Sequence, residues 1–143
     1  MKRIIPFILF LYSVNVACAQ NAGDVIVTEF MANPNAVADN LGEWIEFYNT
    51  TSGDIDMNGW ILKDLGTDLH VINNGGPLMI LSHQYLLFVR SSDVASNGGL
   101  VADYAMGSYT LANIADEIIL ERPDSMIIDE VDYTTTSAGK STE

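Results

Sequence analysis

The oxygen-rich stretch Asp54-x-Asp56-x-Asn58-Gly59 is the sharpest chemical pattern in the chain. It matches the first half of an EF-hand calcium loop, where alternating oxygen ligands precede a glycine that allows a tight turn. The second half departs from that pattern. Its twelfth position, where a bidentate Glu belongs, is Leu65, and the intervening Trp60-Ile61-Leu62 reads as a buried strand. A looser calcium site is the remaining expectation. Asp54 and Asp56 share a strand face, and Asp39 with Glu43 can approach from the preceding loop to supply several hard oxygen ligands. Asp116-Glu117 with Asp124 form a second acidic group with less to recommend it. No cofactor other than calcium is implied.

Catalytic chemistry finds little support. His70 and His83 stand alone, without the H-x-x-x-H or carboxylate spacing of a zinc site. Ser82 precedes His83 directly, but a triad is assembled in space, and Ser82 lacks the strand-to-helix elbow of a nucleophile. Gly75-Gly76 and Gly98-Gly99 precede no helix, so no phosphate loop is formed. Glu43 and Glu46 are paired carboxylates, yet nothing marks a sugar cleft, and acids facing outward from a strand are the simpler reading. Asp129 shares strand parity with Ile127, Val131 and Tyr133, which points it inward to a hydrogen-bonded network rather than to catalysis. Asn49-Thr50-Thr51 matches an N-glycosylation sequon. No catalytic residue is assigned, and the chain reads as non-enzymatic.

Aromatic residues carry the other candidate function. In Glu43-Trp44-Ile45-Glu46-Phe47-Tyr48, strict alternation places Trp44 and Tyr48 on one strand face and Ile45 and Phe47 on the other. One pair must enter the core. The other is covered within the domain or presented to a partner, where large aromatics act as anchors. Trp60 follows a turn into an apolar strand and is expected in the core.

These residues must be positioned by strands. Short apolar and β-branched runs span 24–31, 43–48, 60–63, 69–72, 85–90, 117–121 and 126–133, separated by Gly, Asn, Asp and Pro. No window carries an apolar stripe of helical period long enough for a helix. Runs spaced about 8–12 residues apart give an all-β fold, an immunoglobulin-like β-sandwich of about seven to nine strands, with a closed barrel as the alternative. The stretch from Thr134 to Glu143 is polar and shows no finishing element, as though the domain were truncated at its C-terminus.

The N-terminus sets the compartment. Lys2-Arg3, an apolar run of about 13 residues and Ala17-Cys18-Ala19 make a secretory signal peptide over residues 1–19, because such a run is shorter than the ~20 residues a membrane helix requires. Lipidation at Cys18 fits less well, with Asn15 three places before it. Cleavage after Ala19 leaves a domain over residues 20–143 with no cysteine, hence no disulfide and no thiolate ligand. All 19 acidic residues lie in that domain, and Lys2 and Arg3 are lost from the six basic ones, so its net charge is about −15. Nucleic acid and anionic membranes, which require Lys and Arg clusters, are excluded as partners on that balance, and no membrane insertion is expected after cleavage.

Three stretches resemble the lamin tail domain, an immunoglobulin-like fold of nuclear lamins and of many secreted bacterial proteins. They are Val27 to Pro34, Gly42-Glu43-Trp44-Ile45-Glu46-Phe47-Tyr48-Asn49, and Asn58-Gly59-Trp60-Ile61-Leu62-Lys63-Asp64. Gly107 to Asn113, Asp116 to Leu120 and Ile128 to Tyr133 fit the closing strands of that family. The resemblance implies a module that tethers rather than catalyses, secreted or at the cell surface, with a protein or glycan partner. Two rival expectations are a calcium-stabilised structural domain and an accessory domain of a larger secreted nuclease or phosphatase. The chromatin contacts of lamins are not carried over, because the basic surface they use is acidic here.

Overall fold

The computed structural model describes residues 19–143, so the expected signal peptide lies, apart from Ala19, outside the described residues. In chain order the elements are β1 (Val25–Met31), the one-turn helix α1 (Asp39–Gly42), β2 (Trp44–Asn49), β3 (Ile55–Asp56), β4 (Ile61–Lys63), β5 (Leu69–Val71), β6 (Met79–Ile80), β7 (Tyr85–Val89), β8 (Tyr104–Ala105), β9 (Asp116–Glu121) and β10 (Ile127–Tyr133). The seven longer strands fall on the seven apolar runs of the sequence. The three additional strands, β3, β6 and β8, are two residues long each, too short to leave a pattern of alternation.

Two four-stranded sheets face each other, with strand orders β1-β2-β7-β8 and β10-β9-β4-β5; β3 and β6 form a small third sheet. All ladders are antiparallel except β7–β8. Between the sheets lie the inward side chains of both. Phe30, Ile45, Phe47 and Phe88 come from the first sheet, and Leu62, Ile118, Leu120 and Ile128 from the second. Phe47 and Phe88 meet edge to face at 4.9 Å, an arrangement that adds to the gain from burying each ring. Trp60 is core, 3% exposed.

The sandwich is open rather than a barrel, because no ladder among the described residues closes its edges, which are bridged by side chains and, beside β1, by one backbone bond from the Gly23 amide to the Ile128 carbonyl at 2.8 Å. On one side the Asp129 carboxylate accepts the amide of Val27 at 2.7 Å. Both strands are bulged there, with register shifts between Val27 and Glu29 and between Ile127 and Asp129. The β10 bulge breaks the expected parity. Ile127 is left 43% exposed, Ile128 turns in at 1%, and Asp129 keeps its inward, structural role. On the other side Tyr104 joins β8 to β5. Its hydroxyl lies 2.8 Å from His70 Nε2 and accepts the Asn73 amide at 2.9 Å. Burial lowers the His70 pKa below its ordinary value, which favours the neutral form of the imidazole.

Asn58-Gly59 forms a turn, but not the turn of a hairpin. The Trp60 amide bonds the Met57 carbonyl at 3.1 Å, and Gly59 has φ +86°, the left-handed value a type II turn demands of its third residue. The strands it joins belong to different sheets: β3 pairs with β6, and β4 with β5 and β9. The polar tail also differs from expectation. It returns to the outer edge of β1, where Phe30 and Thr142 exchange two backbone bonds of 2.9 and 2.8 Å. The Gly139 amide bonds the Asn33 carbonyl at 2.7 Å, and the Thr136 hydroxyl that of Asn113 at 2.8 Å.

Candidate functional site

Alternation along β2 resolves the choice between its two faces. Ile45 and Phe47 are fully buried, whereas Trp44, Glu46 and Tyr48 lie half-buried on the outer face of the first sheet. The register builds three rows across that face: Ile26, Tyr48 and Tyr85; Glu29, Glu46 and Leu87; Met31, Trp44 and Val89. Tyr48 and Tyr85 have ring centroids 4.7 Å apart, and Tyr85 is 54% exposed. His83, held at φ +55° in the turn before β7, brings its ring to 6.5 Å from Tyr48. In the middle row the Thr28 hydroxyl, freed by the bulge, donates to Glu46 Oε1 at 2.7 Å. This face is apolar and aromatic at both ends and acidic at its centre.

Trp44 also borders a cavity of about 220 Å³ whose lining includes Met31, Pro34, Val37, Asn97 and Leu100 and contains no charged residue. Gly42 lets this wall pack closely, since a Cβ there would sit 2.4 Å from Val37 Cγ2 and force it to move. The far wall is shaped by Asn97, which is buried. Its amide nitrogen donates to the carbonyls of Ser91 and Leu100, and its oxygen accepts the amides of Gly99 and Leu100. Nothing in the sequence distinguished Asn97 from an ordinary loop residue, because its role depends on contacts made only when the loop closes.

The four carboxylates expected around calcium are engaged separately. Asp56 Oδ1 accepts the amides of Asn58 and Leu78, both at 2.9 Å, and Asp54 Oδ1 accepts that of Ser82 at 2.9 Å. Asp39 Oδ2 accepts the side-chain amide of Asn113 at 2.8 Å. Glu43 is 2% exposed and paired with Arg90. Among the described residues no three His, Cys, Asp or Glu side chains converge on a point where an ion could sit. Asp56 thus closes the local turn at Asn58 and reaches across to Leu78, while Asp54 ties its segment to Ser82. Asp56→Ala is expected to cost about 1–3 kcal/mol, because two amides lose their acceptor. Thermal melts with and without EDTA should show the same loss; a loss that disappears in EDTA would return the residue to an ion.

Glu43 and Arg90 make the most buried ion pair of the three found among the described residues, 2.6 Å from Arg90 to Oε2. The same carboxylate oxygen receives the Leu111 amide at 3.4 Å, and Arg90 Nε donates to the Gly107 carbonyl at 2.6 Å. The pair thus fastens the 107–111 loop to the start of β2 and the end of β7. Burial pushes the Glu43 pKa up to about 7, against the lowering effect of Arg90. Tyr109 and Tyr133 nearby are also raised well above the usual phenol value, by burial first and then by Asp116.

Asn49 is fully buried as well. Its amide nitrogen donates to the carbonyls of Gly53, Ile80 and Leu81, and its oxygen accepts from the backbone and hydroxyl of Thr51. The sequon is thus a structural plug that holds the 49–53 turn against β6, out of reach of a glycan transferase in the folded chain. Ser82 donates its hydroxyl to the Thr51 carbonyl at 2.9 Å, and His70 bonds Tyr104.

Among the described residues no helix is long and apolar enough to cross a membrane. In comparisons with known proteins, the family described as Lamin Tail Domain matches residues 19–135. No curated protein matches the chain.

Proposed function

Because the chain belongs to the lamin tail domain family, an immunoglobulin-like and generally non-catalytic interaction module, we propose that it serves as a secreted or cell-surface tether. In this reading it binds a protein or glycan through the outer face of the β1-β2-β7-β8 sheet. The observation that carries the reading is the placement of Trp44 and Tyr48. Both are large aromatics on the face turned away from the core, beside the exposed Tyr85 and an uncharged cavity. Side chains of this type anchor interfaces at small entropic cost. The leader-like N-terminal sequence and the strongly acidic remainder support an exported chain that does not rest on anionic lipid.

The test is binding of the purified chain to the surface of the cells that produce it, compared with a Trp44→Ala, Tyr48→Ala variant whose far-ultraviolet dichroism matches the parent. Loss of two anchors is expected to weaken binding about 30-fold or more. Unchanged binding would remove this face from the interaction. The same preparation should lack phosphatase and nuclease activity, and turnover by the purified chain would overturn the non-catalytic reading.

A further inference from the structure

Like charges placed directly opposite across a ladder weaken a sheet, and Glu29 and Glu46 are such a pair. None of the three salt bridges among the described residues relieves them: these join Lys63 to Glu121, Arg90 to Glu43 and Arg122 to Asp124. Thr28 satisfies one oxygen of Glu46 and leaves the charge in place. Around the two carboxylates stand Tyr48, Tyr85, Leu87 and Trp44, whose apolar surfaces would strengthen the attraction to a cation once a partner covers the face. The face therefore combines an uncompensated double negative charge with apolar ground on either side along the strands.

Resting on the reading of this face as the contact surface, we infer that its partner is an extended, basic protein segment of the pattern apolar-x-Lys/Arg-x-apolar. The spacing supports this. Successive rows on the face are two strand residues apart, about 6.5–7 Å, which is also the distance between alternate side chains of an extended chain. A segment lying along the strands would place its cation over Glu29 and Glu46, one apolar side chain on Tyr48 and Tyr85, and the other at Trp44. The charge rules out a second copy in the same pose, since a twofold contact would bring another glutamate pair onto the first. A neutral glycan would leave the pair uncompensated.

The experiment titrates the isotope-labelled full chain with three peptides that differ at one position: acetyl-Gly-Leu-Ser-Arg-Ser-Leu-Gly-amide, its citrulline analogue and its Glu analogue. The Arg peptide is expected to shift the amides of Ile26, Glu29, Glu46 and Tyr48, to bind about threefold more tightly than the citrulline peptide for each carboxylate it meets, and to weaken at high salt. The Glu peptide should not bind. A Glu29→Gln, Glu46→Gln variant should lose about tenfold for the Arg peptide, bind the citrulline peptide unchanged and melt about 2 °C higher, because the repulsion is gone. Equal binding of all three peptides at this face would overturn the cationic partner and leave the contact face standing. Absence of shifts on this face, or a variant that melts lower, would also overturn it. Only unchanged cell binding by the Trp44 and Tyr48 variant would remove the face itself.

Discussion

Arg90→Ala is expected to remove about 3–5 kcal/mol of stability near pH 8, the cost of leaving a buried carboxylate without its cation. The loss has three parts in the structure: the pairing with Glu43 Oε2, the bond from Nε to the Gly107 carbonyl, and the hold these exert on the loop that ends at Leu111. Its pH dependence has a definite sign. The carboxyl of Glu43 has its folded pKa raised from 4.5 to about 7, so the native state holds the proton more tightly than the unfolded chain. The contribution of that group to stability is fully present below about pH 4.5 and is lost as pH rises through about 7. Removing Arg90 takes away the influence that lowers this pKa, so it moves further up, and the variant should recover part of its deficit as pH falls from 8 to 5.5. Urea unfolding of both proteins at the two values measures this. A deficit that is the same at both, or that grows on acidification, would mean that Glu43 stays charged in the variant.

Asn49→Asp should be nearly as damaging, by about 3–5 kcal/mol above pH 6, although the two side chains are the same size. The amide nitrogen points at three carbonyls, from Gly53, Ile80 and Leu81, at 2.7 to 3.2 Å. A carboxylate oxygen in its place accepts where donation is required, and does so fully buried. Asn49→Ala leaves the same carbonyls unpaired without the buried charge and should lie between the variant and the parent. Chemical denaturation ranks the three; an Asp variant as stable as the parent would show that the site opens to water.

The strand pattern was legible because alternation is a strong signal wherever one face of a strand is buried. Trp44 to Tyr48 separated two strand faces in five letters, and the burial of Ile45 and Phe47 then identified the core side. The two-residue strands were not legible, since β3, β6 and β8 exist only through partners distant in the chain. The β10 bulge was invisible for a related reason: alternation assumes an unbroken ladder, and one extra residue sends Ile128 in where Ile127 was expected. Composition reads two ways where it resembles a binding motif. Asp54, Asp56 and Asn58 have the letters of a calcium loop, but the same short side chains accept backbone amides, one nearby at Asn58 and two distant at Leu78 and Ser82. Glu43 could be seen as an acid on a strand boundary. That it lies buried against Arg90, 47 residues along the chain, could not.

The return of the tail to β1 has a mechanical consequence. Thr142 lies antiparallel to Phe30, and Gly139 bonds Asn33, so the tail runs back toward the end of β1 from which the chain enters the sheet. A force drawing the two ends of the domain apart loads this contact as a zipper, one hydrogen bond at a time, instead of shearing many together. The tail should peel at low tension and lengthen the molecule while the two sheets stay closed, so that a pull on the module is first met by slack.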